Sequence, residues 1–147
     1  MDEAAFRDVL HATNPQPCVF GKAMLLGRCD CPHAQRHHIA ERETVMCTDM
    51  SAHVSCLALH KLLLHNSAFT LKHIHDEVPL THAQDTKVQC GGLLGLQNAL
   101  HGSDEITDVT ALIKAAKRKF GSLEEFPYAQ ILQAIAAFRV RNVREKE

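Results

Sequence analysis

The chain has 147 residues, 46% hydrophobic and 22% charged, with a formal net charge of −1. That length and balance predict one folded domain (1–147) with a substantial core and argue against a disordered chain. No stretch approaches the roughly eighteen apolar residues of a membrane span, and the acidic, mixed start MDEAAFRDVL does not resemble a secretion signal, so a cytoplasmic protein is expected.

In chain order, residues 2–13 suit a short opening helix, stopped by Asn14-Pro15-Gln16-Pro17 because proline fixes φ and removes a donor. Val19 to Leu26 is apolar and too short for its periodicity to separate strand from helix. Residues 28–38 read as a loop, with Pro32 opening a helix through Ala34 to about Met46. Asp49 or Ser51 caps a further helix to about His65, apolar nearly all round and therefore expected to be the buried central element. A helix over Ser67–His75 is broken by Pro79, and residues 76–89 read as a polar connection. Cys90-Gly91-Gly92 then leads into a short helix closed by Gly102.

The C-terminal part, 103–147, is more regular. Val109, Leu112, Ile113, Ala116 and Phe120 fall on one helical face, ended by Gly121. Ser122 and Glu125 form a capping box, and a last helix follows Pro127 with Tyr128, Ile131, Leu132, Ile135 and Phe138 in a stripe. No convincing alternating run appears. The expected fold is all-α, with five to seven helices and an irregular Cys-rich region near the N-terminus.

The chemistry sits in that region. Five of the six cysteines fall between Cys18 and Cys56, in the spacing C-x10-C-x-C-x15-C-x8-C-x33-C that ends at Cys90. In a cytosolic chain clustered thiols are read as metal ligands or redox groups rather than disulfides. The spacing is neither a ferredoxin run nor a pair of zinc knuckles. Cys18, Cys29, Cys31 and Cys90 lie beside Gly or Pro, where backbone can wrap tightly around sulfur. Cys47 and Cys90 precede expected helices, whose dipoles favour thiolates. Cys56 lies inside a helix and reads equally well as a small core residue.

An all-thiolate set suits an iron–sulfur cluster or zinc. Wide, loop-borne cysteines favour a 4Fe-4S cluster held by Cys18, Cys29 or Cys31, Cys47 and Cys90, with Cys56 in reserve. Zinc would recruit imidazole as well, for instance Cys29, Cys31, His33 and His37 or His38. His53, Cys56 and His60 also share a helical face, although core or surface imidazoles are the plainer reading.

Three functions are compatible with these residues. The first is an iron–sulfur protein in electron transfer or redox sensing, working with a redox partner protein. The second is a zinc- or cluster-containing regulator that binds nucleic acid through Lys114, Lys117, Arg118, Lys119, Arg139, Arg141 and Arg144. Residues 1–110 carry 8 Lys and Arg against 13 Asp and Glu, whereas 111–147 carry 8 against 4, so the positive charge is concentrated there. The third is a thiol enzyme with Cys90 as nucleophile; a non-enzymatic role is the main expectation.

Overall fold

A computed structural model describes residues 3–5, 8, 16–68 and 80–139. Residues 3–5 and 8 are helical, in keeping with an opening helix. The remaining elements are α1 (Gly21–Leu25), β1 (Ala34–Ile39), β2 (Arg42–Cys47), α2 (Met50–Ser67), α3 (His82–Leu100), α4 (Val109–Phe120), a 3-10 turn (Leu123–Glu125) and α5 (Tyr128–Ala137). The fold is mostly helical but mixed α/β, which corrects the all-α expectation.

The correction lies in residues 34–47, expected as a helix and found as an antiparallel hairpin pairing Ala34 with Cys47 and Ile39 with Arg42. Ala40 and Glu41 turn it, both with positive φ, at 51° and 71°. Two-residue hairpin loops that need positive φ at both positions usually advertise themselves as Asn-Gly or Asp-Gly. Here neither residue is a turn former, so the local signal is missing. The alternation is short too: only Ile39, Val45 and Cys47 are buried along the two strands. Tertiary contact therefore decides this segment. Residues 16–18 run alongside β2 through a Pro17–Met46 bridge, with the Cys18 N–H donating to Val45 O (2.9 Å) and the Cys47 N–H to Gln16 O (2.9 Å).

The centre of the core also differs from expectation. α2 is capped by Asp49, whose carboxylate accepts from the Ala52 N–H at 3.1 Å, as the sequence predicts. Yet it buries only Ala52, Leu59, Leu63 and Ser67, and leaves Val54 and Leu57 in solvent. The central element is α3. It starts at His82 behind a Thr81–Gln84 capping box and runs without a break through Cys90-Gly-Gly, so residues 82–89 of the expected polar connection are its first half. The expected helix over Ser67–His75 falls largely in 69–79, outside the described residues.

Glycine explains the position of α3. A Cβ placed on Gly91 would stand 2.6 Å from the Ile135 Cα, and one on Gly95 would stand 2.9 Å from the Ile131 Cα. Both contacts are with the backbone of α5, so these glycines let two helices approach more closely than any side chain permits. Ile131 and Ile135, fully buried, fill the seam. α1 crosses the other side of α3, where the Ala23 N–H donates to Gln89 Oε1 (3.2 Å).

A polar hub joins α1, α2 and α3. Asp85 accepts from Lys22 Nζ at 2.9 Å and from Gln89 Nε2 at 3.2 Å, and pairs with His60 Nε2 at 2.9 Å. α4 is capped by Asp108, which accepts from the Ala111 N–H at 3.1 Å, and ends at Gly121 with φ 104°. No helix among the described residues is long and apolar enough to cross a membrane.

Candidate functional site: a four-cysteine cavity

Four of the six cysteines, Cys18, Cys31, Cys47 and Cys56, line one cavity. Each comes from a different segment: the turn before α1, the loop before β1, the end of β2 and the first half of α2. The hairpin is what gathers them. Its β2 strand carries Cys47 and pairs with the backbone at Cys18, while the Ala34 N–H donates to Cys31 O (3.1 Å) at the start of β1. Thr48, just past β2, returns its N–H to His33 O at 2.9 Å. α2 then sets off under its Asp49 cap and presents Ala52 and Cys56, one turn apart, to the same space.

The Cys29–Cys31 loop is anchored from above. The Asp30 N–H donates to Ile106 O at 3.0 Å, and Asp30 O accepts from the Val109 N–H at 3.1 Å. This pins the loop against the start of α4 and sets Thr110 beside Cys31, with Oγ1 and Sγ 3.5 Å apart in a hydrogen bond. Phe20 and Val109, both buried, complete an otherwise apolar wall. The free volume is about 10 Å³. A space that size holds one water-sized body and excludes any organic cofactor.

Burial governs the thiols. It pushes Cys18 up to about 11; a hydrogen bond from the Phe20 backbone acts against the rise, and the neighbouring Cys47 and Cys31 add to it. Cys56 is pushed up to about 12, first by burial and then by Cys18, Cys31 and Cys47. These sulfurs are close enough that charge on one disfavours charge on the next. Cys18 and Cys56 are therefore held in the protonated thiol form at neutral pH.

The other two cysteines stand apart from the cavity. Cys29 and Cys90 are buried in the hydrophobic core, 6% and 3% exposed. Burial raises both thiols, Cys90 to about 11 despite the opposing charge of Arg28. Cys90 also lies well inside α3 rather than at a helix start, so the dipole argument for an activated nucleophile does not apply to it. Cys56 lines the cavity and Cys90 does not.

Among the histidines, His33 and His53 line the cavity, whereas Cys29, His37 and His38 of the expected zinc set do not. Both imidazoles have other partners. His53 Nε2 lies 3.0 Å from Pro17 O, and His33 Nε2 lies 3.7 Å from Asp49 Oδ2. His60 belongs to the Asp85 hub, with its ring edge-on to Phe20 at 5.9 Å between centroids. Among the described residues, no group of three or more His, Cys, Asp or Glu side chains is placed to hold a metal ion. Thr110 is the wall residue with hydrogen-bonding capacity toward sulfur that sequence reading missed. Nothing local marks it, because only the Asp30 clasp brings it to Cys31.

Comparison with known protein families, curated proteins and solved structures finds no match to this chain.

Proposed function

We propose that this chain is an iron–sulfur protein, with Cys18, Cys31, Cys47 and Cys56 holding a 4Fe-4S cluster used in electron transfer or redox sensing. The observation that carries the reading is the convergence of four thiols from four separate segments on one apolar cavity. A cube needs one thiolate at each corner, arriving from different directions. A zinc ion 2.3 Å from each sulfur would draw all four within about 4 Å of one another. Each corner of the cube would take its thiolate from a different segment of the chain. The cavity, at about 10 Å³, is smaller than a cluster, so loading requires the four thiols to move apart.

Six free thiols suit a reducing compartment, and the cytoplasm is the proposed location. Zinc is the competing reading, favoured by His33 and His53 on the cavity wall.

The test is iron, sulfide and zinc analysis with an absorbance spectrum, all on one anaerobically purified sample. A broad band at about 400 nm with roughly four irons per chain supports the cluster. Stoichiometric zinc without iron establishes the alternative. A metal-free protein from cells competent in cluster assembly refutes both.

A further inference from the structure

A second cavity, of about 130 Å³, lies between α2 and α4 and shares His33, Ala52, Cys56 and Thr110 with the four-cysteine cavity. One wall is the first part of α2, where Ser51 and Ser55 stand one turn apart on one face. The other is α4, where Lys114 and Lys117 stand three residues apart. Buried Ala52 and Ile113 line the space as well, so low-dielectric protein backs the charges and strengthens their attraction for an anion.

Two ammonium groups and two hydroxyls thus border one space. Among the described residues, Ser51 Oγ, Ser55 Oγ and Lys117 Nζ have no hydrogen-bond or ion-pair partner. The other polar groups of the wall are engaged. Thr110 Oγ1 is hydrogen-bonded to Cys31 Sγ at 3.5 Å. The Asp49 carboxylate accepts from the Ala52 N–H at 3.1 Å and lies 3.7 Å from His33 Nε2. The Ala52 bond is the main reason its carboxyl stays below the ordinary range, with His33, the Ser51 N–H and, least, Lys114 adding to the effect. Lys114 is therefore partly balanced by Asp49, and Lys117 is not. Two cations against one carboxylate leave the cavity positive.

We propose that this cavity binds one phosphate-sized tetrahedral oxyanion, as inorganic phosphate or as the terminal group of a small phosphate monoester. Lys114 and Lys117 would hold it from one side and the Ser51 and Ser55 hydroxyls from the other. At roughly 30 Å³ per water the space holds about four waters, which admits a phosphate group and excludes a nucleoside. Donors on opposite walls suit an anion whose oxygens point in several directions. A planar carboxylate is better matched by the arginine fork, and no arginine lines the cavity. Nucleic acid would call for a longer basic track. Of the residues expected to supply it, Arg141 and Arg144 lie outside the described residues, and Lys119 is turned away to Ala99 O at 3.0 Å. Anion binding here is independent of what the four-cysteine cavity holds.

Isothermal titration calorimetry of the full chain with sodium phosphate, in a chloride buffer of low ionic strength, provides the test. The native protein should bind one phosphate per chain, with sulfate competing and acetate failing to compete. Lys114→Gln/Lys117→Gln should weaken binding at least about tenfold, and Ser51→Ala/Ser55→Ala several-fold. Asp49→Asn keeps a cap on α2, because asparagine caps as well as aspartate, yet removes the opposing charge and should tighten binding several-fold. Circular dichroism of each variant without phosphate separates lost binding from a lost fold. Phenyl phosphate binding as tightly as phosphate assigns the site to monoesters, and binding of inorganic phosphate alone assigns it to the free ion. Absence of saturable binding by the native protein at millimolar phosphate overturns the proposal, as does a folded Lys114→Gln/Lys117→Gln variant with native affinity. Acetate that displaces phosphate as readily as sulfate does also overturns it. Duplex DNA that competes more strongly than sulfate at equal charge assigns the lysines to nucleic acid and overturns it too.

Discussion

Replacing Gly91 by alanine tests the close approach of α3 and α5. Inside an exposed helix this change would stabilise by about 1 kcal/mol, through helix propensity and a less flexible unfolded chain. Here the new Cβ would meet the Ile135 Cα at 2.6 Å, the Ala134 O at 3.1 Å and the Ile135 N at 3.1 Å. Carbon contacts relax at about 3.5–4.0 Å, so α5 must retreat by roughly 1 Å, and a gap of that size forfeits a quarter to a half of the dispersion well of each facing atom. Ile131 and Ile135 stand fully buried at that seam. Their burial is worth about 1.5–3 kcal/mol each, so a loss of roughly 2–3 kcal/mol outweighs the propensity gain. Net destabilisation of about 1–2 kcal/mol is expected.

Gly92→Ala provides the internal control. Its Cβ meets only the Leu63 methyls, the nearest at 2.8 Å, and these sit at the end of a side chain that can rotate away. That variant should lie within about 0.5 kcal/mol of the native protein. Urea unfolding followed by far-ultraviolet circular dichroism measures both, with the slope checked for constancy. A Gly91→Ala protein at least as stable as Gly92→Ala would refute the close approach of α3 and α5.

Other expectations follow from the site, the hub and the turn. Serine at Cys18, Cys31, Cys47 or Cys56 should each lower iron per chain several-fold, while Cys90→Ser, away from the cavity, should retain it; iron loss confined to Cys90→Ser would contradict the four-cysteine assignment. Burial opposes ionisation of Asp85, but hydrogen bonds from His60 and Lys22 more than offset it and hold the carboxyl at about 2, against an ordinary 3.8. Because its folded value is depressed, Asp85 stabilises the fold above pH of about 4 and loses that contribution as pH falls toward 2. Asp85→Asn should therefore cost about 2 kcal/mol at neutral pH, with a difference from native that narrows on acidification; a pH-independent difference in urea titrations would contradict the hub. Ala40→Asn/Glu41→Gly, which places turn formers at φ 51° and 71°, should raise stability by about 1 kcal/mol, measured as a higher urea midpoint with unchanged slope.

The sequence by itself determined the elements whose information is local. The Asp49 cap, the 109–120 stripe, Gly121 as its stop and the final helix after Pro127 all sit where cap chemistry and 3.6-residue periodicity place them. It also singled out the cysteine-rich segment as the candidate site, a reading that needs only residue type and spacing.

Tertiary structure decided the rest. Residues 34–47 carry no turn former and too little alternation, and become a hairpin because pairing with residues 16–18 and packing on the core supply what local propensity lacks. Cys90-Gly-Gly looks like a helix start, yet it is the middle of α3, since close contact with α5 repays the helical cost of glycine. Which thiols meet followed from those two outcomes. The hairpin carries Cys47 to Cys18, the Asp30 clasp holds Cys31, and the continuous α3 keeps Cys90 in the core, leaving Cys56 as the fourth wall of the cavity. Spacing along the chain does not encode that convergence, because it depends on contacts between residues far apart in sequence.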